Sequence, residues 1–396
     1  MATPDRSRLT VAAAVATMAA LISLSLLLRL PVFDYHGPRS PHPFNLYLMD
    51  HVGAYTDIAH LYFRDQLWQH PAPYLDYRFE YPVLTGAFVW LASLGHPGVG
   101  QYLLVSTAML VCLGAIAVWV VGRIEGANRW VLAAAPALAF YAVLNWDLLG
   151  VCLLAVALLL FLRGRDLPAS AVLALSVSAK LFPVVVLPVV LALRVADRRV
   201  RSALGIAGVF AVVTLLVNVP IALDPAAPDL VRANWLHFFT FTLSRPPKAT
   251  LWQPALGPGA DLVTDPLFVA GLLAIVMLAV RNRARPGGSL IPASCAALLW
   301  VFATAKVYSP QYALWIFAAL AIDGAPLGLV VAFGLVDVLV FATTFGPLYP
   351  GLPIVGVQWT VYGLRQVLTV ALVVWIVREQ LIRRPHPNAA PAYSLA

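Results

Sequence analysis

Residues 130–162 read WVLAAAPALAFYAVLNWDLLGVCLLAVALLLFL, two apolar runs joined by the polar triplet Asn145-Trp146-Asp147. Each run is shorter than the roughly 20 residues, with a range of about 17–25, that a helix needs to cross a bilayer. A helix interrupted at membrane depth is tolerated only where its backbone is buried in protein or lines a wet cavity. We therefore expect the triplet to be a hinge between two short membrane helices.

The same pattern extends along the chain, which is 61% apolar and 11% charged, with a mean hydropathy of +0.84. Soluble domains carry about 25% charged residues. Two more polar hinges interrupt apolar runs, one at Lys180-Leu181-Phe182-Pro183 and one from Lys306 to Gln311. The apolar runs lie near 11–30, 81–95, 99–121, 130–145, 147–162, 168–179, 181–193, 202–222, 266–280, 289–305, 310–322, 326–344 and 358–377. They predict an all-α, polytopic transmembrane helical bundle of about 12–13 membrane helices, including short broken ones.

A single integral-membrane domain over residues 1–380 accounts for all of these runs. The tail at 381–396 is rich in Pro and Ala, so it is expected to be disordered. The first run follows Arg6 and Arg8 and has no clear small-residue cleavage site. We expect it to be a retained signal anchor rather than a cleaved signal peptide.

The net charge of +8 comes from short basic clusters between the apolar runs. Such clusters mark cytoplasmic loops, so both chain termini are expected in the cytoplasm. The three hinges and two long polar loops, at about 31–80 and 223–265, then share the opposite face. Residues 81–95 do not fit this scheme unless they cross only partially. The alternative is that the loop with Arg123 and Arg129 lies outside; we favour the partial crossing.

Composition and motifs exclude several function classes. No basic face interleaved with aromatic residues is present, so nucleic acid is not an expected partner. No Gly-rich phosphate loop or nucleotide fingerprint appears, so any activated donor must be made elsewhere. The three cysteines lie inside apolar runs, without disulfide or metal spacing. Five of the eight histidines fall in the first polar loop, but their spacing matches no compact ligand motif, so no metal is expected.

The first polar loop holds six of the 18 acidic residues. Asp57 is a candidate general base, since transfer to a hydroxyl with inversion needs a carboxylate to take the proton. Its alternative role is to cap a helix. Glu80, before Tyr81 and Pro82, is a candidate second carboxylate that orients an acceptor. It would also be favoured at a helix start for purely structural reasons.

Charged residues also occur inside the apolar stretches, where each costs roughly 2.5–3.5 kcal/mol and is usually functional or paired. Asp147, near Asn145, suggests a site for a sugar or a phosphate. The alternative is a structural role, in a hinge held by hydrogen bonds. Lys180 and Lys306 suit a lipid phosphate, or they extend to the membrane interface.

In the second polar loop, Arg245 is placed to hold a phosphate, and its aromatic residues are suited to stack on sugar rings. Asp337 and Arg365 are expected to form a structural ion pair.

Five motifs then stand in order along the chain: Asp-Ile-x-x-Leu-Tyr from Asp57, Pro-Tyr before Glu-Tyr-Pro, Asn-Trp-Asp, Ala-Lys-Leu-Phe-Pro, and Lys-Val-Tyr-Ser-Pro-Gln-Tyr from Lys306. Together they resemble bacterial GT-C membrane glycosyltransferases over about residues 10–380. Within that group the chain is similar to the family 87 type of actinobacteria, which includes polyprenyl-phosphate-mannose-dependent α-mannosyltransferases.

This resemblance implies a GT-C fold, a polyprenyl-phosphate sugar donor with mannose as the sugar, and a glycolipid or glycan acceptor. It implies inversion at the extracytoplasmic face of the bacterial cell membrane, without a cofactor. It makes Asp57 the base and places Glu80 near the acceptor. The remaining candidate substrate-binding residues are Asp50, Tyr62, Tyr81, Asn145, Asp147, Lys180, His237, Arg245, Lys306, Tyr308 and Gln311. Two departures stand out: the loop lacks a paired Asp-x-Asp or Glu-x-Asp, which puts metal dependence in doubt, and Asp50 competes with Asp57.

Two other functions fit parts of the pattern. Broken helices with charges at membrane depth are also typical of a secondary transporter or lipid flippase. A transporter should show matched interrupted helices in two halves, whereas these interruptions cluster towards one face. A scaffold without chemistry would tolerate neutral residues at Asp57, Glu80, Lys180 and Lys306.

Overall fold

Each predicted apolar run contains at least one helix. The computed structural model describes residues 6–223, 228–284, 288–345 and 354–383, with 18 α-helices in these ranges. They are α1 (Arg6–Leu27), α2 (Pro41–Met49), α3 (Asp57–Arg64), α4 (Val83–Ala92), α5 (Val99–Val121), α6 (Arg129–Ala133), α7 (Pro136–Tyr141), α8 (Asp147–Leu162), α9 (Asp166–Ala179), α10 (Val186–Ala196), α11 (Val200–Ala222), α12 (Pro228–Ser244), α13 (Trp252–Leu256), α14 (Asp261–Arg281), α15 (Leu290–Thr304), α16 (Ala313–Asp323), α17 (Leu327–Phe345) and α18 (Ile354–Trp375).

Six helical segments are long and apolar enough to cross a membrane: Thr10–Leu27, Val99–Val121, Val200–Ala222, Trp252–Arg281, Leu327–Phe345 and Gly356–Arg383. Large apolar side chains cover the outside of the bundle, for example Leu216 at 67% and Leu335 at 64% exposure. In a bilayer these side chains face the acyl chains. The described ranges contain isolated bridges but no β-strand. The predicted all-α polytopic bundle is confirmed.

Three pairs of shorter helices meet at the predicted hinges. The α6–α7 segment meets α8 at Asn145, α9 meets α10 at Lys180, and α15 meets α16 at Pro310. Proline suits the last two junctions, since it disrupts a continuing helix and fits the first turn of the next. The 16 residues of α8 extend for about 24 Å, less than the hydrocarbon thickness of about 30 Å. A helix of this length does not cross the hydrocarbon layer, so the short helices end, at the hinges, part-way through it.

Loops that carry basic clusters meet at one end of the bundle. Arg194 Nη2 lies 2.8 Å from Asp166 Oδ1, and Arg283 Nε lies 3.4 Å from Asp197 Oδ1. These contacts join the loops that follow α8, α10 and α14. Because α8, α9 and α10 all run between this end and a hinge, the hinges lie towards the opposite end.

Helix α4 has only 10 residues, about 15 Å in length. Near its start, Thr85 Oγ1 donates to Ala179 O at 2.8 Å, beside the second hinge. Just after its end, Pro97 O accepts a hydrogen bond from the Tyr62 hydroxyl at 2.8 Å. The chain is thus back at the first polar loop when α4 ends. This geometry favours the partial crossing of residues 81–95.

Both polar loops contain helices that the apolar runs did not predict, namely α2 and α3 in the first and α12 and α13 in the second. An aromatic cluster holds the first loop together: the ring of Phe44 lies 5.0 Å from that of Tyr35 and 4.6 Å from that of Phe63. At the other end of the chain, α18 continues as a π-helix over Ile376–Arg383. Residues 381–383 of the expected disordered tail are therefore helical, and 384–396 lie outside the described residues.

The expected ion pair between Asp337 and Arg365 was wrong. Neither carboxylate oxygen of Asp337 has a hydrogen-bond partner among the described residues. Arg365 Nη2 instead donates to Tyr308 O and, at 3.0 Å, to Ala249 O. Its guanidinium lies 3.7 Å from the centroid of the Tyr308 ring. Arg365 therefore joins the second polar loop to the third hinge.

Candidate active site

A cavity of about 430 Å³ lies where the three hinges meet the two polar loops. Leu144, Lys180 and Gln311 reach it, one from each hinge region. The size is within the range of about 300–1,000 Å³ typical of small-molecule sites. The charged residues that line it form two groups, one mainly acidic and one cationic.

The first group lies mainly on one face of α3. Asp57, His60 and Arg64 are spaced three and four residues apart, so they lie on the same side of the helix. All three line the cavity, together with Glu80. We call these four residues the acidic wall.

The Asp57 carboxylate is held on both oxygens. The Tyr55 hydroxyl donates to Oδ1 at 3.0 Å, and Asn145 Nδ2 donates to Oδ2 at 2.8 Å. The Asp57 backbone N–H donates to Leu144 O at 2.9 Å. Because a carboxylate has about four acceptor positions, two remain for a ligand in the cavity.

Arg64 holds the second carboxylate of the acidic wall. Its Nη1 lies 3.2 Å from Glu80 Oε1, while Nε and Nη2 donate to the two oxygens of Asp65 at 2.6 and 2.9 Å. Burial raises the pKa of Asp65 to about 6, against the opposing effect of Arg64. The guanidinium is thus shared between two carboxylates, and Glu80 is fixed without losing its second oxygen.

His60 adds a neutral base to the acidic wall. Its Nδ1 lies 3.0 Å from Asn45 Oδ1, an acceptor, so we assign the ring proton to Nδ1. Burial lowers the pKa of His60, although the nearby Asp57 opposes this change. The imidazole is therefore neutral at pH 7, with Nε2 as an acceptor.

Lys180 belongs to the second group of charged residues that line the cavity. Its side chain is buried, and Nζ lies 3.4 Å from Asp147 Oδ1 and 4.6 Å from the centroid of the Tyr81 ring. Trp315 Nε1 donates to the same Asp147 oxygen at 2.7 Å. The buried lysine is thus stabilised by a carboxylate and an aromatic face.

Arg245 and Lys248 complete what we call the cationic wall with Lys180. Neither forms an ion pair within the described residues; the Arg245 guanidinium lies 5.3 Å from the centroid of the Phe241 ring. The Lys248 backbone is fixed, since its N–H donates to Lys306 O at 2.9 Å and its carbonyl accepts from the Tyr308 N–H at 3.0 Å. Two cations without an acidic partner make this wall suited to bind an anion.

A second cavity of about 360 Å³ adjoins the first and is almost entirely apolar. The two share Tyr81, Pro82, Leu181 and Phe238. The second one extends along α11, which is largely exposed on the outside of the bundle. We call it the apolar groove. It begins next to Lys180, because Leu181 lines both cavities.

Eight of the predicted site residues come together here. Asp57, Glu80, Tyr81, Lys180, Arg245 and Gln311 line the cavity. Asn145 and Asp147 do not line it, but they contact residues that do.

The other predicted site residues lie elsewhere. Asp50 is exposed at the end of α2 and does not line the cavity, which favours Asp57 over it as the base. The Tyr62 hydroxyl is bound to a loop carbonyl, as described above. His237 is on α12 but outside the lining.

Two predicted ligands of a phosphate or sugar have structural contacts instead. Lys306 Nζ lies 2.8 Å from Asp261 Oδ2 and donates to Leu243 O at 2.7 Å. The Tyr308 hydroxyl lies 2.8 Å from Thr369 Oγ1 in a fully buried position. Both residues stabilise the segments around the cavity without lining it.

The cavity also contains residues that the sequence analysis did not select, above all His60, Arg64 and Lys248. The spacing of Asp57, His60 and Arg64 at i, i+3 and i+7 was the available signal, because it marks one helical face. For Lys248 the available signal was its place in the second polar loop, three residues after Arg245.

The arrangement has a defined chemical capacity. The acidic wall can accept a proton and hold hydroxyl groups, while the cationic wall can stabilise negative charge. Such a site suits transfer of a group from an anionic leaving group to a neutral hydroxyl.

Comparisons with known proteins add no family to this description. A scan against protein-family models found no match, and neither did a search of curated proteins. Among the described residues, no group of three or more His, Cys, Asp or Glu side chains is arranged to hold a metal ion.

Proposed function

We propose that the protein is a membrane glycosyltransferase that moves a sugar, with mannose the first to test, from a polyprenyl-phosphate donor to a glycolipid or glycan. The observation that carries the proposal is the division of one cavity into an acidic and a cationic wall, with an apolar groove beside the latter. An amphiphilic phosphate ester matches the cationic wall and the groove together. A polyhydroxylated acceptor matches the acidic wall.

The reaction follows from these positions. Asp57 accepts the proton of an acceptor hydroxyl, and the oxygen attacks the anomeric carbon of the donor sugar. The bond from that carbon to the phosphate oxygen breaks, and its electron pair stays on the phosphate. Lys180, Arg245 and Lys248 stabilise the additional negative charge on polyprenyl phosphate. Attack opposite the leaving group inverts the anomeric centre.

The apolar groove supports a lipid-linked donor. Its lining along α11, including Leu215 and Val219, suits an isoprenoid chain that remains in the bilayer. The positive-inside rule would place the cavity at the extracytoplasmic face of a bacterial cell membrane. A lipid-linked donor carries its own leaving group, so no nucleotide site is needed there.

The test is transfer of radiolabelled mannose from polyprenyl-phosphate-mannose in membranes that contain the protein. We expect transfer by the wild type, with and without chelator, and a loss of about 10²–10⁴-fold in Asp57→Asn. Asp50→Asn is the matched control, since it removes an exposed carboxylate of the same loop. Full activity of Asp57→Asn would remove the proposed base. Absence of transfer from both mannose and arabinose donors would favour the transporter.

A further inference from the structure

The hinge Asn145-Trp146-Asp147 contacts both walls of the cavity from behind. All three side chains are fully buried, with 0% exposure. None of them lines the cavity, yet the first and the third residues contact groups that do. The hinge is therefore placed to act on the site without touching a substrate.

Asn145 holds the acidic wall. Its Oδ1 accepts the Trp146 backbone N–H at 2.7 Å, which fixes which end of the amide is the donor. Nδ2 then donates to Asp57 Oδ2 at 2.8 Å and to the Tyr81 hydroxyl at 2.7 Å. Both amide hydrogens are used, so Asn145 has none left for a substrate.

Asp147 holds the cationic wall in the same way. Its Oδ1 accepts from Trp315 Nε1 at 2.7 Å and lies 3.4 Å from Lys180 Nζ. This contact keeps the lysine at the cavity surface even though its side chain is buried. Without the carboxylate, a buried ammonium group would be strongly destabilised.

Tyr81 lies between the two contacts and connects them. Its hydroxyl is bound to Asn145, and its ring lies under the Lys180 ammonium group at 4.6 Å. The Trp146 ring packs edge-on against it, with 5.5 Å between the centroids. Asp57 and Lys180 are thus both held by residues two positions apart in one fully buried turn.

We infer that the Asn145-Trp146-Asp147 hinge is a positioning element that sets the separation between the proton-accepting group and the phosphate-binding group. Asn145 acts through Asp57 and Tyr81, and Asp147 acts through Lys180. This inference rests on the proposed function, and it divides the hinge into two halves with different kinetic effects.

The first arm of the test uses farnesyl phosphate, which has the phosphate and an isoprenoid tail but no sugar. Binding to the purified protein in nanodiscs is measured by calorimetry. We expect Asp147→Asn to weaken binding by about tenfold or more, because the buried Lys180 ammonium group loses the carboxylate that stabilises its charge. Asn145→Ala should weaken binding much less, since it reaches Lys180 only indirectly, through the Tyr81 hydroxyl.

The second arm measures transfer kinetics. We expect Asn145→Ala to lower kcat by about 10²-fold with little change in the donor KM, as for a misplaced catalytic group. Ser176→Ala is the matched control: it removes a fully buried hydrogen bond, from Ser176 Oγ to Gly150 O at 2.9 Å, that involves no side chain of either wall. The milder variants Asn145→Ser and Asp147→Glu serve if a first variant fails to fold.

The outcomes separate the two proposals. If the wild type does not bind farnesyl phosphate, both the proposed function and the inference fail. If it binds but transfers no sugar, the transferase proposal fails, while the Asp147→Asn binding result still decides the phosphate half of the inference. If the wild type binds and transfers but both hinge variants behave like Ser176→Ala, the inference alone is overturned.

Discussion

Lys180 carries a positive charge at a hinge where its side chain is only 8% exposed. Asp147 stabilises that charge from 3.4 Å without lining the cavity itself. Arg245 and Lys248 differ, because no acidic partner neutralises them in the described part of the chain. Arg245 and Lys248 therefore supply the unpaired positive charge of the cationic wall, beside the paired charge of Lys180.

Replacing Arg245 by Gln should therefore weaken the binding of farnesyl phosphate. A hydrogen bond to a charged group contributes about 1.5–3 kcal/mol, so we expect the Kd to rise by about tenfold or more. The remaining binding should also depend less on salt. Calorimetry in nanodiscs at two ionic strengths measures both effects.

Arg232→Gln is the matched control for that experiment, since Arg232 is an exposed arginine on α12, the helix that ends one residue before Arg245, and does not line the cavity. Equal losses in the two variants would mean that Arg245 acts only through the general charge of the surface.

At the residue scale, the sequence was informative where a charge interrupts an apolar run. Asp147 and Lys180 stand out for that reason, and the structure places both beside the cavity. The same argument selected Lys306, which instead pairs with Asp261. The free-energy cost of a charge at membrane depth does not by itself distinguish a residue that binds a ligand from one that pairs within the protein. Arg64 was missed, since one more charge in a polar loop carries no such signal.

Helix α3 is the element that orients the acidic wall, and Thr56 fixes its start. The Thr56 hydroxyl accepts the Ile58 N–H at 3.2 Å and donates to Val143 O at 2.6 Å, in a fully buried position. One side chain thus caps the helix and attaches it to the first hinge region.

Thr56→Val keeps the shape of the side chain but removes both hydrogen bonds. We expect a loss of about 1–2 kcal/mol in the free energy of unfolding, from the missing cap and the unpaired Val143 carbonyl. Because α3 carries Asp57, kcat should fall more than the donor KM rises. Thermal unfolding and transfer kinetics measure the two effects.

Thr17→Val is the control for this element, since the Thr17 hydroxyl bonds only to Ala13 O of its own helix, on an exposed face of α1. If the two variants were equally stable and active, α3 would not depend on its cap.

The membrane helices and their hinges were predictable because lipid demands long apolar runs, and interruptions in them are conspicuous. Helices α2, α3 and α12 were not predictable from the sequence, since helices in polar loops depend on tertiary contacts more than on composition. The position of the three hinges was predictable only in part. The basic clusters predicted that the hinges lie on one side of the membrane, but only the fold shows that they meet at one cavity.

At the scale of the whole molecule, the bundle is polarised from end to end. Basic loops meet at one end, and the cavity with its two walls lies towards the other. The positive-inside rule therefore predicts an extracytoplasmic cavity. It also predicts that α4 begins and ends on that side. If residues 81–95 crossed the membrane fully, the loop with Arg123 and Arg129 would instead lie on the extracytoplasmic side.

Cysteine accessibility distinguishes these two topologies. In a chain whose native cysteines are replaced by Ala, single cysteines are placed at exposed positions: His42→Cys, Leu94→Cys, Glu125→Cys and Arg201→Cys. The native cysteines are Cys112, Cys152 and Cys295. We expect a membrane-impermeant maleimide to label positions 42 and 94 in intact cells, and positions 125 and 201 only after permeabilisation. Protection at 94 together with labelling at 125 would instead mean that α4 crosses the membrane, and the loop with Arg123 and Arg129 would then lie outside.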